Sequence, residues 1–192
     1  FQQSWNRGGH KPIKSSDQID KECQDNLVNI IKYALHCGVN HIETAQGYGC
    51  SELQIGMALR KLFDEGVCTR KDLIIQTKGG ISSSTTKDGY KSSILQQIER
   101  LGVDYLDLFS VHGLNTDDHY TWLFNRDDDD PKGNLIDALK ELREEGKVRH
   151  IGFSTHAPAH VIKKAIESDA FDYLNLHYHF MGSYTASGDS GS

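Results

Sequence analysis

Short apolar runs alternate with helical stripes along this chain, and the alternation recurs about every thirty residues. Residues 39–43, 73–77, 105–111, 150–153 and 173–177 read as buried strands, each bounded by turn-forming or polar residues. Between them the apolar positions take helical spacing. Leu27, Ile30, Ile31, Ala34 and Leu35 follow it before a stop at Gly38, and Ile55, Ala58, Leu59, Leu62 and Phe63 follow it behind Ser51, a residue suited to cap a helix. Ile94, Leu95, Ile98 and Leu101 repeat the pattern, as do Leu135, Ile136, Leu139 and Leu142, and then Val161, Ile162, Ala165 and Ile166. Alternation this strict predicts parallel strands joined by right-handed crossovers.

Two architectures accommodate that pattern, an open doubly wound sheet and a (β/α)8 TIM barrel. No Gly-x-Gly-x-x-Gly follows any strand; Gly47-Tyr48-Gly49 lacks the third glycine because position 52 is glutamate. Polar residues stand instead at the ends of several successive strands, which favours the barrel. A barrel of this kind takes about 250 residues, and this chain has 192 with five legible strands. The expectation is an incomplete α/β barrel over residues 22–180, holding roughly its second to sixth strand units. An irregular polar arm over 1–21 precedes it, and a Gly- and Ser-rich tail over 181–192 follows.

Composition narrows the classes of function. At 37% hydrophobic and 25% charged residues the chain is ordinary for a globular protein. A net charge of −6 argues against an electrostatic nucleic-acid binder. No run reaches the roughly 20 apolar residues that span a membrane, and the opening Phe1-Gln-Gln-Ser-Trp, neither basic nor followed by an apolar segment, does not read as a signal peptide. Cys23, Cys37, Cys50 and Cys68 contain no Cys-x-x-Cys element, so no metal site built from them is expected; the size and character of the chain make a cytoplasmic location and reduced thiols the expectation.

Four strand-end residues carry the chemistry: Glu43, Tyr48, Lys78 and His112. In a parallel sheet the strand C-termini share one side, so these groups are expected to converge. A phenol ionises only near pH 10, and an adjacent ammonium stabilises the phenolate. An acid holding that ammonium and a histidine able to orient a carbonyl complete a proton-delivery device. A different reading takes His177 and His179, with His112 and His156, as zinc ligands of a barrel hydrolase. A third is a barrel fragment that binds without catalysing. The acidic run 127–130 reads as a solvated loop rather than a metal site.

The segment Gly38-Val-Asn-His-Ile-Glu43-Thr-Ala-Gln-Gly-Tyr48-Gly-Cys-Ser-Glu52 resembles the aldo-keto reductase signature. The resemblance continues at Ile75-Gln-Thr-Lys78, at Gly102-Val-Asp-Tyr-Leu-Asp-Leu-Phe-Ser-Val-His112 and at Gly146-Lys-Val-Arg-His-Ile-Gly-Phe-Ser154. It implies hydride transfer between a nicotinamide cofactor, usually NADPH, and a small carbonyl or alcohol substrate. Tyr48 would then be the proton donor, supported by Lys78 and Glu43, with His112 orienting the carbonyl. Ser154, Thr155 and Asn175 match positions that hold the nicotinamide. The wording is most similar to a bacterial branch whose longer members append iron–sulfur segments, although no such cysteine cluster occurs here. The family's usual aspartate is Glu43 in this chain, so a retracted lysine or a shifted backbone must absorb one extra methylene. The residues that grip the adenosine 2′-phosphate have no match, which predicts weak cofactor binding by these residues alone.

Overall fold

The structure, a computed structural model, describes residues 15–124, 126 and 130–176. Five strands form in the expected order: β1 (His41–Glu43), β2 (Ile74–Gly80), β3 (Leu106–His112), β4 (Val148–Thr155) and β5 (Tyr173–Leu176). Six helices separate them: α1 (Lys21–His36), α2 (Ser51–Asp64), α3 (Lys87–Leu101), α4 (Asp117–Phe124), α5 (Leu135–Glu144) and α6 (Ala159–Ile166). The strand order in the sheet follows the chain order. β1 runs parallel to β2 with Glu43 opposite Gln76, and β4 runs parallel to β5 with Ser154 opposite Asn175.

By their contacts the described residues divide into two compact units. The first takes those up to Lys78 together with Leu95–Asp107. Asp20 caps α1 by accepting from the Cys23 backbone N–H at 2.9 Å, satisfying one of the orphan donors of the first turn. Leu27 and Ile31 of α1 and Ile55, Leu59 and Leu62 of α2 supply this unit's core, each at most 1% exposed. Gly56 explains how closely α2 meets the end of α3. A Cβ there would lie 2.2 Å from the Arg100 carbonyl oxygen, so no other residue can occupy the crossing without parting the backbones. Asp107 accepts from the Ile75 N–H at 3.0 Å and pairs with Arg70 at 2.7 Å, tying the start of β3 to β2.

The second unit takes Gly79–Ile94 and the described residues from Leu108 onward. An equivalent clamp recurs there: Asp172 accepts from the Ile151 N–H at 2.7 Å and from Arg143 at 2.6 Å. The core includes Phe109, Leu123, Leu139, Leu142 and Phe153. Phe171 joins it to α4, with its ring 5.9 Å from Phe124 and 4.7 Å from Phe153.

Several boundaries differ from the sequence expectation. The 117–124 stretch, read as polar loop, is helix α4, started by Thr116, whose hydroxyl accepts from the His119 N–H at 3.3 Å. Its acids lie in the first turn and its aromatics in the second, so no long apolar stripe announces it. Strand β2 continues through Gly79 and Gly80 instead of stopping at Thr77. Ser51 is not the cap of α2; Cys50 holds that position, and Ser51 accepts a 2.8 Å hydrogen bond from Thr44. All four cysteines are free thiols. The tail, together with His177 and His179, lies outside the described residues.

Candidate active site

Alternation along the strands decides which side chains meet. Glu43 ends β1 opposite Gln76, and Lys78 stands two residues beyond Gln76, on the same face of β2. Pairing continues past the strand end, because the Gln46 N–H donates to the Lys78 carbonyl at 2.9 Å. The lysine is only 4% exposed, and its ammonium donates directly to Glu43 Oε1, whose side chain remains 39% exposed. A lysine this enclosed is tolerated when paired, since desolvating a lone ammonium costs several kcal/mol. The register of β1 on β2 is regular through Glu43.

Tyr48 reaches the same place from a tight turn. Its N–H donates to the Ala45 carbonyl at 3.0 Å, and its own carbonyl accepts from the Ser51 N–H at 3.1 Å. Gly49 follows with φ of +59°, in the left-handed region, so the turn needs a residue free of Cβ strain there. The Lys78 ammonium lies 5.2 Å from the centroid of the Tyr48 ring. Glu43, Tyr48 and Lys78 are therefore assembled within the first unit.

Two buried groups, Glu52 and Thr77, and the part-exposed Arg100 stand behind them. Glu52, 3% exposed, accepts from Thr77 Oγ1 at 2.6 Å and from Arg100 at 2.6 Å. Thr77 immediately precedes Lys78, and Glu52 opens the helix that follows the Tyr48 turn. A signal for it existed: Glu52 shares the helical stripe of Ile55, Leu59 and Leu62, where an unpaired acid would be expensive.

The remaining expected site residues belong to the second unit. His112 is the last residue of β3 and is half-buried. Ser154 and Asn175 are opposite one another on β4 and β5, both half-buried. Ser154 Oγ accepts from the Gly113 N–H at 3.2 Å, and its carbonyl also accepts from Gly113 and Leu114. Thr155 faces inward instead. It is 2% exposed, and its hydroxyl donates to the Leu114 carbonyl at 2.7 Å while accepting from the Ala157 N–H at 3.0 Å. Among the described residues no cluster of three His, Cys, Asp or Glu could hold a metal, and no helix is long and apolar enough to cross a membrane.

Comparison with known proteins gives one consistent result. A family profile described as the Aldo/keto reductase family matches residues 8–186. The NADH-specific methylglyoxal reductase of Escherichia coli is 27% identical over 188 residues, which is 91% of this chain and 53% of that protein. Probable aldo-keto reductase 1 of Glycine max is 33% identical over 141 residues, 68% of this chain and 36% of that protein. The chain thus spans between about a third and a half of the length of these relatives. Among solved structures, an aldo-keto reductase of Bacillus halodurans in its holo form matches with a TM-score of 0.64 at 26% identity, covering 83% of this chain and 51% of that one. A Bombyx mori aldo-keto reductase solved with NADP matches with a TM-score of 0.61 at 22% identity, covering 85% and 51%. The fold is therefore that of an incomplete (β/α)8 barrel, with five parallel strands among the described residues.

Proposed function

The chain belongs to the aldo/keto reductase family, and from that premise we propose that its site serves nicotinamide-dependent oxidoreduction of a small carbonyl or alcohol, with NADPH the expected cofactor. Tyr48 is the proton donor in this reading. The observation that carries it is the enclosed Lys78 ammonium, paired to Glu43 and 5.2 Å from the Tyr48 ring. An ammonium held there gives any charge developing on the phenol oxygen a counter-ion, in a site where water screens it little. Glu43 keeps Lys78 oriented through their direct hydrogen bond. The family resemblance gives His112 the role of orienting the substrate carbonyl.

For the cofactor, Ser154 and Asn175 offer a hydroxyl and an amide on adjacent strands, a donor and acceptor set that suits a carboxamide. Thr155 is spent on backbone groups, so the side chain of Ser154 is the better candidate of that pair. When bound, the nicotinamide supplies or accepts the hydride. The partner is a small-molecule substrate, and methylglyoxal, named for the Escherichia coli relative, is a reasonable first compound to assay.

The test separates binding from proton transfer. Tyr48→Phe is expected to reduce carbonyl turnover at least about a hundredfold while leaving NADPH affinity, read by nicotinamide fluorescence, within a factor of about two. Unchanged turnover would remove Tyr48 from the donor role.

A further inference from the structure

Two threonines flank the acid and the lysine of the site. Thr44 follows Glu43, and Thr77 precedes Lys78. Both are fully enclosed, at 0% exposure. The ladder carries on past the end of β1, with the Thr44 N–H donating to the Gln76 carbonyl and the Gln46 N–H to the Lys78 carbonyl, each at 2.9 Å. Neighbouring residues of an extended chain face opposite ways. The threonine side chains therefore leave the face that carries Glu43 and Lys78 and turn toward α2.

There they meet consecutive residues. Thr44 Oγ1 donates to Ser51 Oγ at 2.8 Å, and Thr77 Oγ1 donates to Glu52 Oε1 at 2.6 Å. Ser51 and Glu52 are the first two residues of α2 and are themselves enclosed. The other oxygen of Glu52, Oε2, receives Arg100 Nε at 2.8 Å and Nη2 at 2.6 Å. The same helix start holds the phenol-bearing turn, because the Ser51 N–H donates to the Tyr48 carbonyl at 3.1 Å.

Glu43 is thus referred to the start of α2 through Thr44, Lys78 through Thr77, and Tyr48 through Ser51. All of these residues belong to the first unit. Apolar packing would keep the three groups near one another without fixing their separations. Hydrogen bonds are directional, and leaving an enclosed donor unpaired is costly, so a frame built from them holds distances.

We propose that Thr44 and Thr77, with Ser51 and Glu52 as their acceptors, are positioning residues that set the separations among Glu43, Tyr48 and Lys78. Resting on the reading of Tyr48 as proton donor, the frame acts on the proton-transfer step and not on ligand binding.

Two measurements on the full chain decide it. In a sample with ¹³C-labelled tyrosine rings, the Tyr48 signal is assigned by its loss in Tyr48→Phe. Thr44→Val and Thr77→Val, which keep the shape and remove the hydroxyl, are each expected to move that signal. Thr44→Ser and Thr77→Ser, which restore the hydroxyl, should return it toward its parent position, with the other tyrosines reporting that the fold is kept. Tyr90→Phe removes an enclosed hydrogen bond in the second unit and should leave the Tyr48 signal in place. A Tyr48 signal unmoved in both valine variants would overturn the frame.

The second measurement follows methylglyoxal reduction with NADPH. Each valine variant is expected to lower kcat about tenfold while KM and NADPH affinity stay within about twofold. The serine variants should recover kcat to within about threefold of the parent. An unchanged kcat, or a loss confined to KM, would overturn the positioning role, as would an equal loss in Tyr90→Phe, which marks general loosening. If the parent reduces nothing while the Tyr48 signal responds as expected, the reductase reading fails and the catalytic half of the proposal fails with it.

Discussion

Tyr90 shows what enclosure does to a single phenol in this protein. It is 2% exposed, its hydroxyl donates to the Gly79 carbonyl at 3.2 Å, and its ring meets Phe109 edge-on at 6.1 Å. Burial pushes its ionisation far above the ordinary tyrosine value, because the phenolate would sit in an apolar surrounding without solvent. On alkaline titration followed by near-ultraviolet absorbance, Tyr90 is expected to stay protonated until the chain unfolds. Tyr90→Phe should leave the native curve unchanged and lower the unfolded plateau by one phenol. It should also cost about 1 kcal/mol of stability through the lost hydrogen bond. Tyr48 differs from it in placement, being half-buried, on a turn, and near an ammonium.

At the scale of elements, the placement of Tyr48 and Lys78 depends on how α2, α3 and β2 are locked together. Glu52 is the shared partner, bonded to Thr77 of β2 and to Arg100 of α3. Glu52→Gln keeps the shape but removes the charge that both donors address. The expected loss is about 2 kcal/mol, read as a Tm lower by roughly 4 to 8 °C, with Arg100→Leu and the double variant completing a cycle that isolates the pair. The strands and five of the six helices were legible from the sequence, because buried parallel strands and amphipathic helices leave opposite periodicities. The strand-end acid, tyrosine and lysine were legible for the same reason. Helix α4 was not, since its start rests on Thr116 and on acids in the first turn rather than on a stripe. Glu52 was missed because a charged residue on an apolar face is only intelligible once its partners, 25 and 48 residues away, are in view. The inward turn of Thr155 escaped notice because neighbouring strand residues face opposite ways and the sequence does not say which.

For the molecule as a whole, the acid side of the stability curve is the informative one. Glu141 receives Lys87 at 2.6 Å and Lys91 at 2.8 Å. Hydrogen bonds from these two ammonium groups, Lys87 foremost, hold its carboxyl down at about 2. A depressed carboxyl contributes stability that is complete above its unfolded value, roughly 4.3, and is lost as pH falls toward the folded one. Thermal unfolding measured from neutral pH downward should therefore show Glu141→Gln less stable than the parent above about pH 4.3. The two curves should converge below that, near pH 2. Parallel curves would mean that the pair makes no net contribution, as many exposed ion pairs do.

The contact of Tyr173 with Gly152 also bears on how such chains can diverge. A side chain at position 152 is excluded as long as an aromatic ring occupies 173, because the ring atoms already fill the space of a Cβ. Once the ring is gone, Ser110 Oγ has lost the hydrogen bond it shares with Tyr173. Positions 110, 152 and 173 thus pack as one unit spread over three strands, and a larger residue at 152 calls for a smaller one at 173.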